Sequence, residues 1–155
     1  MSHAVPRAET RPFSVVDAVR EAYAEEYMAA VRRLLFADDD PGVQRALKRL
    51  AEKNGFELVP VLAGADVYQA VLESRPDLIV LDIQFPDADG RDVLSRLKAD
   101  ARISNIPVVV WSGRDPQSDR RIALDLGAED YVEKRDPSTL LPKIERVLLR
   151  LRDAG

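Results

Sequence analysis

Polar residues that could do chemistry together stand at the ends of separate apolar runs: Asp38-Asp39-Asp40, Asp82, Ser112 and Lys134. The runs before them are Leu34-Leu35-Phe36-Ala37, Leu78-Ile79-Val80-Leu81, Val108-Val109-Val110-Trp111, and Tyr131-Val132 leading to Glu133. Buried parallel strands read as near-continuous apolar runs, and open α/β sheets place ligands just beyond the carboxyl ends of those strands. These side chains are therefore expected to meet in one crevice. Carboxylates, a hydroxyl and an ammonium in one crevice suit a metal-assisted phosphoryl reaction.

A phosphoryl group approaching several carboxylates is repelled unless a hard cation lies between them. Mg²⁺ fits, because it prefers carboxylate, carbonyl and water oxygens and commonly bridges protein and phosphate. Asp38 and Asp39, directly after the first run, are assigned to the metal. Asp40, before Pro41, is as well placed to cap a helix. Asp82 serves as metal ligand and as the nucleophile that attacks phosphorus, forming an aspartyl phosphate. Phosphoryl transfer depends on positioning and on stabilising charge over the equatorial oxygens. Lys134 supplies a point charge, and the Ser112 hydroxyl and the Gly113 N–H supply hydrogen bonds. An isolated lysine after a strand would read as a solvated side chain, and an isolated aspartate as a turn or cap. Their company, and the Pro86 to Gly90 loop that separates Asp82 from the next helix, favour the chemical reading.

The elements that must hold these residues alternate between apolar runs and helical periods. The helix after Pro41 carries Val43, Leu47 and Leu50 on one face and stops at Asn54-Gly55. Phe56 to Leu62 reads as a strand, and Ala65 to Glu73 as a helix with Val67, Ala70, Val71 and Leu72 inward. Helices bearing Val93, Leu94 and Leu97, then Ile122, Leu124 and Leu126, flank the strand after Pro107, and Gly127 precedes a short fifth strand. A final helix carries Leu140, Ile144, Val147, Leu148 and Leu151. Successive strand-then-helix units imply a parallel sheet with right-handed crossovers and helices on both faces, a doubly wound, flavodoxin-like α/β domain.

Composition sets outer bounds. With 155 residues, 46% hydrophobic, the chain is expected to form one domain over residues 32–153. Cysteine is absent and the single histidine is His3, so disulfides, thiolate metal sites and a His-dependent triad are excluded. A net charge of −4 disfavours direct contact with nucleic acid. No apolar run approaches the length of a membrane span, and a soluble cytoplasmic protein is expected. Residues 1–13 read as a flexible arm. Residues 14–31 read as an additional amphipathic helix, opened by a Ser14-x-x-Asp17 capping box, with Val16, Val19, Tyr23, Tyr27 and Val31 in a stripe. That stripe is expected to pack on its own domain rather than mediate a homodimer.

From about Arg33 to Leu151 the chain resembles a response-regulator receiver domain of bacterial two-component signalling. The resemblance rests on Leu-Phe-Ala-Asp38-Asp39-Asp40-Pro41, Leu-Asp82-Ile-Gln-Phe-Pro86-Asp-Ala-Asp-Gly90, Trp-Ser112-Gly113 and Gly127-Ala-Glu-Asp-Tyr131-Val-Glu-Lys134, in that order and spacing. It implies a five-stranded sheet in the order 2-1-3-4-5, Asp82 as phosphoacceptor, and the backbone carbonyl of Gln84 as a further Mg²⁺ ligand. It also implies a switch: Ser112 moves towards the phosphoryl group, and a half-buried Tyr131 turns into the space. The surface of the fourth receiver helix, fifth strand and fifth receiver helix would then change. Arg135 stands where such domains usually carry proline, often with a cis peptide, and Gln84 and Arg114 flank the site where they would tune phosphoryl lifetime.

The expected function is that of a phosphoacceptor, with a histidine kinase or histidine phosphotransfer protein as donor and a further protein as output partner. Enzymatic activity would be confined to self-phosphorylation and dephosphorylation at Asp82. No helix-turn-helix, P-loop or dinucleotide motif is present, which suits a stand-alone receiver or one excised from a longer protein. An Mg²⁺-dependent phosphohydrolase using Asp82 would need a further general acid and a substrate cap. A receiver-like scaffold acting without phosphorylation would have no need of the acidic set.

Overall fold

The structure, a computed structural model, describes residues 14–22, 32–113, 116–135 and 137–154. The arm at 1–13, the stripe positions Tyr23, Tyr27 and Val31, and Arg114 lie outside the described residues.

The elements in chain order are α1 (Val15–Ala22), β1 (Arg32–Ala37), α2 (Pro41–Lys53), β2 (Phe56–Val61), α3 (Gly64–Ser74) and β3 (Leu78–Asp82). Then come α4 (Gly90–Ala99), β4 (Val108–Ser112), α5 (Pro116–Asp125), β5 (Asp130–Glu133), a 3₁₀ turn (Pro137–Thr139) and α6 (Leu140–Ala154). The five strands form one parallel sheet in the order β2-β1-β3-β4-β5. Strand order reverses beside β1 and β3, where chain leaving their carboxyl ends turns to opposite faces and opens a crevice.

Alternation along each strand divides the core in two. Leu35, Ala37, Ile79, Leu81, Val108 and Val110 face one layer with Val67, Val71, Leu94, Leu97 and Ala123. Leu34, Phe36, Leu78, Val80, Val109 and Trp111 face the other, with Leu47, Ala51, Leu140, Ile144 and Val147. Central strands are thus buried on both sides, which is why they read as unbroken apolar runs.

Two expectations need correction. Leu62 lies beyond β2 and is 52% exposed, since the ladder to β1 ends at Val61. Leu124 is 40% exposed, because the inward face of α5 carries Asp119 and Ala123, four residues apart, with half-buried Leu126 next on the same face. The reciprocal cap of α1 is present: Ser14 Oγ accepts the Asp17 N–H at 3.1 Å, and Asp17 Oδ2 accepts the Ser14 N–H at 3.2 Å. Helix α1 lies against α6. Among the described residues no peptide bond is cis, including that before Arg135.

Candidate functional site

Past Ala37 the chain stays tied to β2, with the Asp38 N–H donating to Val61 O at 3.0 Å. Asp38 is fully buried, and its Oδ1 accepts the Asp40 N–H at 2.9 Å. Asp39 is exposed. Asp40 caps α2 through Oδ1, which accepts the N–H groups of Gly42 at 2.8 Å and Val43 at 3.3 Å. Asp82 ends β3, is buried, and accepts the Gln84 N–H on Oδ1 at 3.0 Å. One carboxylate oxygen from each of Asp38, Asp39 and Asp82 lies within 4.8 Å of the others.

Lys134, just past β5, enters between two of these carboxylates. Its Nζ donates to Asp82 Oδ2 at 2.8 Å and lies 2.8 Å from Asp38 Oδ2. The second contact is an ion pair of the same length, so one ammonium serves both buried carboxylates. Three carboxylate oxygens in reach of one another, from buried Asp38 and Asp82 and exposed Asp39, against a single ammonium fit a hard divalent cation.

Burial raises the Asp82 carboxyl above its ordinary value; the hydrogen bonds from Lys134 and the Gln84 N–H oppose that, and the Asp38 charge adds to it. For Lys134, burial is the largest single influence and lowers the ammonium, but the contacts with Asp38 and Asp82 together outweigh it and raise the net value above 10.5. The folded lysine therefore holds its proton more tightly than an unfolded one. Its contribution to stability is fully present below the ordinary lysine value and is lost as pH rises through the folded value. Denaturant melts at about pH 9 and about pH 11.5 are expected to show a larger alkaline loss for wild type than for Lys134→Met. Equal losses would remove Lys134 from the account.

Ser112 ends β4 and is fully buried; Gly113 follows, exposed. The Ser112 carbonyl accepts the Lys134 N–H at 2.7 Å, which joins the two loops. Gln84 is exposed and forms a bridge with Asp89 across the β3–α4 loop. Tyr131 is 4% exposed and belongs to the core layer of Val108 and Val110, so it is buried rather than half-buried as expected. The register that sets Tyr131 beside Val110 carries its ring inward. Trp111 packs in the opposite layer. Arg135 is exposed and reaches Glu133 at 3.1 Å.

Three residues close to this site carried no functional assignment in the sequence. Gly90 donates its N–H to Ile83 O at 2.7 Å, and a Cβ there would lie 2.4 Å from Asp82 O and 2.5 Å from Ile83 Cα. Its place after Pro86-Asp-Ala-Asp was the available signal. Gln44, a polar residue on the inward side of α2, is buried. Asp87 caps α3 from another loop: its carboxylate accepts the N–H of Gly64 at 3.0 Å and of Ala65 at 2.9 Å, which lowers its pKa. Ala63, at the N-cap itself, offers no side-chain acceptor. Asp87→Ala is expected to speed amide exchange at Gly64 and Ala65 while β3 stays protected; unchanged exchange there would show that the cap carries no weight.

This fold and acidic crevice match a known group of proteins. A family model for the response regulator receiver domain covers residues 34–145. The chain belongs to that family. Transcriptional regulatory protein PrrA of Mycobacterium tuberculosis is 39% identical to this receiver over 123 residues, 79% of this chain and 51% of PrrA. The chain spans about half the length of the curated relatives it matches. A CheY-like response regulator receiver domain protein of Methanospirillum hungatei shares the fold with a TM-score of 0.74 at 23% identity, over 81% of this chain and 100% of that one. The Mn(2+)-bound form of response regulator Rcp1 aligns at 25% identity with a TM-score of 0.63, over 76% of this chain and 91% of that one. The expected strand order 2-1-3-4-5 is present in this chain, which shares its fold with the Methanospirillum hungatei receiver domain protein. Among the described residues no helix is long and apolar enough to cross a membrane.

Proposed function

We propose that Asp82 is the phosphoacceptor of this receiver, with Asp38, Asp39, Asp82 and the backbone carbonyl of Gln84 holding Mg²⁺. The observation that carries the reading is the pair of buried carboxylates from β1 and β3 sharing one ammonium, with Asp39 in reach. Membership of the receiver family supports it, as does the Mn²⁺ bound by the Rcp1 relative.

Asp82 attacks phosphorus through a carboxylate oxygen; a P–O bond forms as the P–N bond to a donor phosphohistidine breaks, and the imidazole nitrogen keeps the electron pair. Asp38, Asp39 and Asp82 would hold a divalent cation whose charge would offset that of the carboxylates and of the incoming phosphoryl group. Lys134, already within 2.8 Å of Asp82, needs little movement to reach a phosphoryl oxygen. The Ser112 hydroxyl and the Gly113 N–H donate to the others. The donor is a histidine kinase or histidine phosphotransfer protein.

A phosphoryl group that draws in Ser112 would vacate space, and Tyr131, buried beside Val110 on the neighbouring strand, is placed to shift into it. The face built by α5, β5 and α6 would carry the signal to an output protein. Transcriptional regulation is the named role of relatives of which this chain spans about half. Within such a protein this acidic segment would meet protein partners rather than DNA.

The test is intact mass after incubation with Mg²⁺ and a small acyl phosphate, with and without chelator. One phosphoryl adduct that depends on Mg²⁺ and maps to the peptide containing Asp82 is the expected result. Steady hydrolysis of the donor with no adduct would point to a phosphohydrolase, and an adduct elsewhere would overturn the assignment.

A further inference from the structure

Gln44 is 6% exposed, on the side of α2 that faces the sheet. Its Nε2 lies 2.8 Å from Phe36 O, 3.1 Å from Asp38 O and 3.1 Å from Val61 O. Three carbonyl oxygens converge on one amide group, so the nitrogen must face them; the amide oxygen in its place would set acceptor against acceptor. The two hydrogens of the amide serve three acceptors, one of them shared. Gln44 Oε1 meets no donor among the described residues, so the side chain is held through its nitrogen alone.

The three carbonyls belong to the ends of two neighbouring strands. Phe36 and Asp38 flank the exit of β1, and Val61 closes β2. Val61 O also accepts the Asp38 N–H at 3.0 Å. Both backbone polar groups of Asp38 are thereby fixed: its N–H by β2, its carbonyl by Gln44. A residue one step beyond a strand has lost its ladder and is free to turn, yet Asp38 must keep a buried carboxylate opposite Asp82. The amide of Gln44 is the neutral donor that replaces the missing ladder bonds without adding charge to the crevice.

We propose that Gln44 is a positioning residue that clamps the carboxyl ends of β1 and β2 and so fixes the Asp38 carboxylate for cation binding. The cation part rests on the function proposed above; the clamp itself does not. Gln44→Met keeps length and apolar volume while removing the donors. Gln44→Glu keeps shape but turns a carboxylate towards three carbonyls. A control, Ile103→Val, trims the core in the loop leading into β4, at the opposite end of the sheet.

In metal-free protein, Gln44→Met is expected to speed amide exchange at Asp38 more than at Ile79 or Val80 in β3, whereas Ile103→Val does not single out Asp38. Titration with Mg²⁺ alone, read by calorimetry, is expected to show affinity lowered roughly tenfold in Gln44→Met and further in Gln44→Glu, with Ile103→Val unchanged. Wild-type exchange at Asp38 in Gln44→Met would overturn the clamp. Unchanged Mg²⁺ affinity in that variant, or an equal loss in Ile103→Val, would overturn its role in cation binding. A wild-type protein that binds no Mg²⁺ would instead count against the proposed function, and the exchange measurement would still decide whether Gln44 holds Asp38.

Discussion

Asp82→Asn is expected to take up no phosphoryl group under conditions that fully label wild type, and to unfold at a higher denaturant concentration at pH 7. The first half follows from chemistry: a carboxamide offers no anionic oxygen to attack phosphorus and cannot form an acyl phosphate. The second follows from the environment of the carboxylate. Burial raises its pKa despite Lys134, so the ionised form is disfavoured in the fold relative to the unfolded chain. That penalty is absent below the ordinary aspartate value of 3.8 and grows as pH rises through the folded value. The stability gain should therefore appear at neutral pH and vanish near pH 3. Intact mass and urea melts at both pH values check the two halves. A residual adduct in Asp82→Asn would move the acceptor elsewhere, and a stability loss at pH 7 would mean that the pair with Lys134 outweighs burial.

Gly90→Ala should damage both the fold and the site. A methyl group there meets backbone, at 2.4 Å from Asp82 O, 2.5 Å from Ile83 Cα and 2.6 Å from Ile83 O, and no side chain can swing away to relieve it. Either α4 retreats, breaking the 2.7 Å bond from Gly90 N to Ile83 O, or the end of β3 shifts. Overpacking of this kind costs about 3 kcal/mol, which for a chain this size lowers Tm by roughly 10 °C. Because the displaced atoms carry the Asp82 carboxylate, a shift near 1 Å would slow phosphorylation roughly a hundredfold in molecules that remain folded. Calorimetry and the time course of adduct formation at 10 °C below the variant's Tm separate the two effects. A variant with wild-type Tm and labelling rate would mean that the loop absorbs the methyl group without moving Asp82.

What was legible in the sequence was the part that depends on local pattern. The runs at 34–37, 78–81 and 108–111 are continuous because both faces of those strands are buried, and their ends place Asp38, Asp82 and Ser112 along one edge of the sheet. Helix faces were readable where the period is regular, as with Leu140, Ile144 and Val147. At α5 the expected face was right at Leu126 and wrong at Leu124, because the inward positions there are taken by Ala123 and a buried polar residue, Asp119. Long-range polar contacts left little trace. Nothing near Ala63 announces that α3 is capped by Asp87, 22 or more residues away in sequence. Gln44 looks like one more polar helix residue until three strand carbonyls are seen to meet at its amide. That Asp38, Asp82 and Lys134 would share one crevice was legible from their places after the runs, but that a single ammonium would bridge both buried carboxylates was not.

The lysine bridge makes the crevice a small reservoir of unbalanced charge. With its three carboxylates ionised against one ammonium it stands at −2. A divalent cation brings it to neutrality, and conversion of the Asp82 carboxylate to an acyl phosphate of about −2 returns it to about −1. The same phosphorylation without a cation would leave about −3 beside two buried carboxyl groups. With Asp82 as the acceptor proposed above, the phosphorylated crevice would hold its cation more tightly than the unphosphorylated one. By thermodynamic reciprocity the cation favours the phosphorylated state by the same factor. Cellular Mg²⁺ would then set how much of the phosphorylated form persists, as well as how fast it forms.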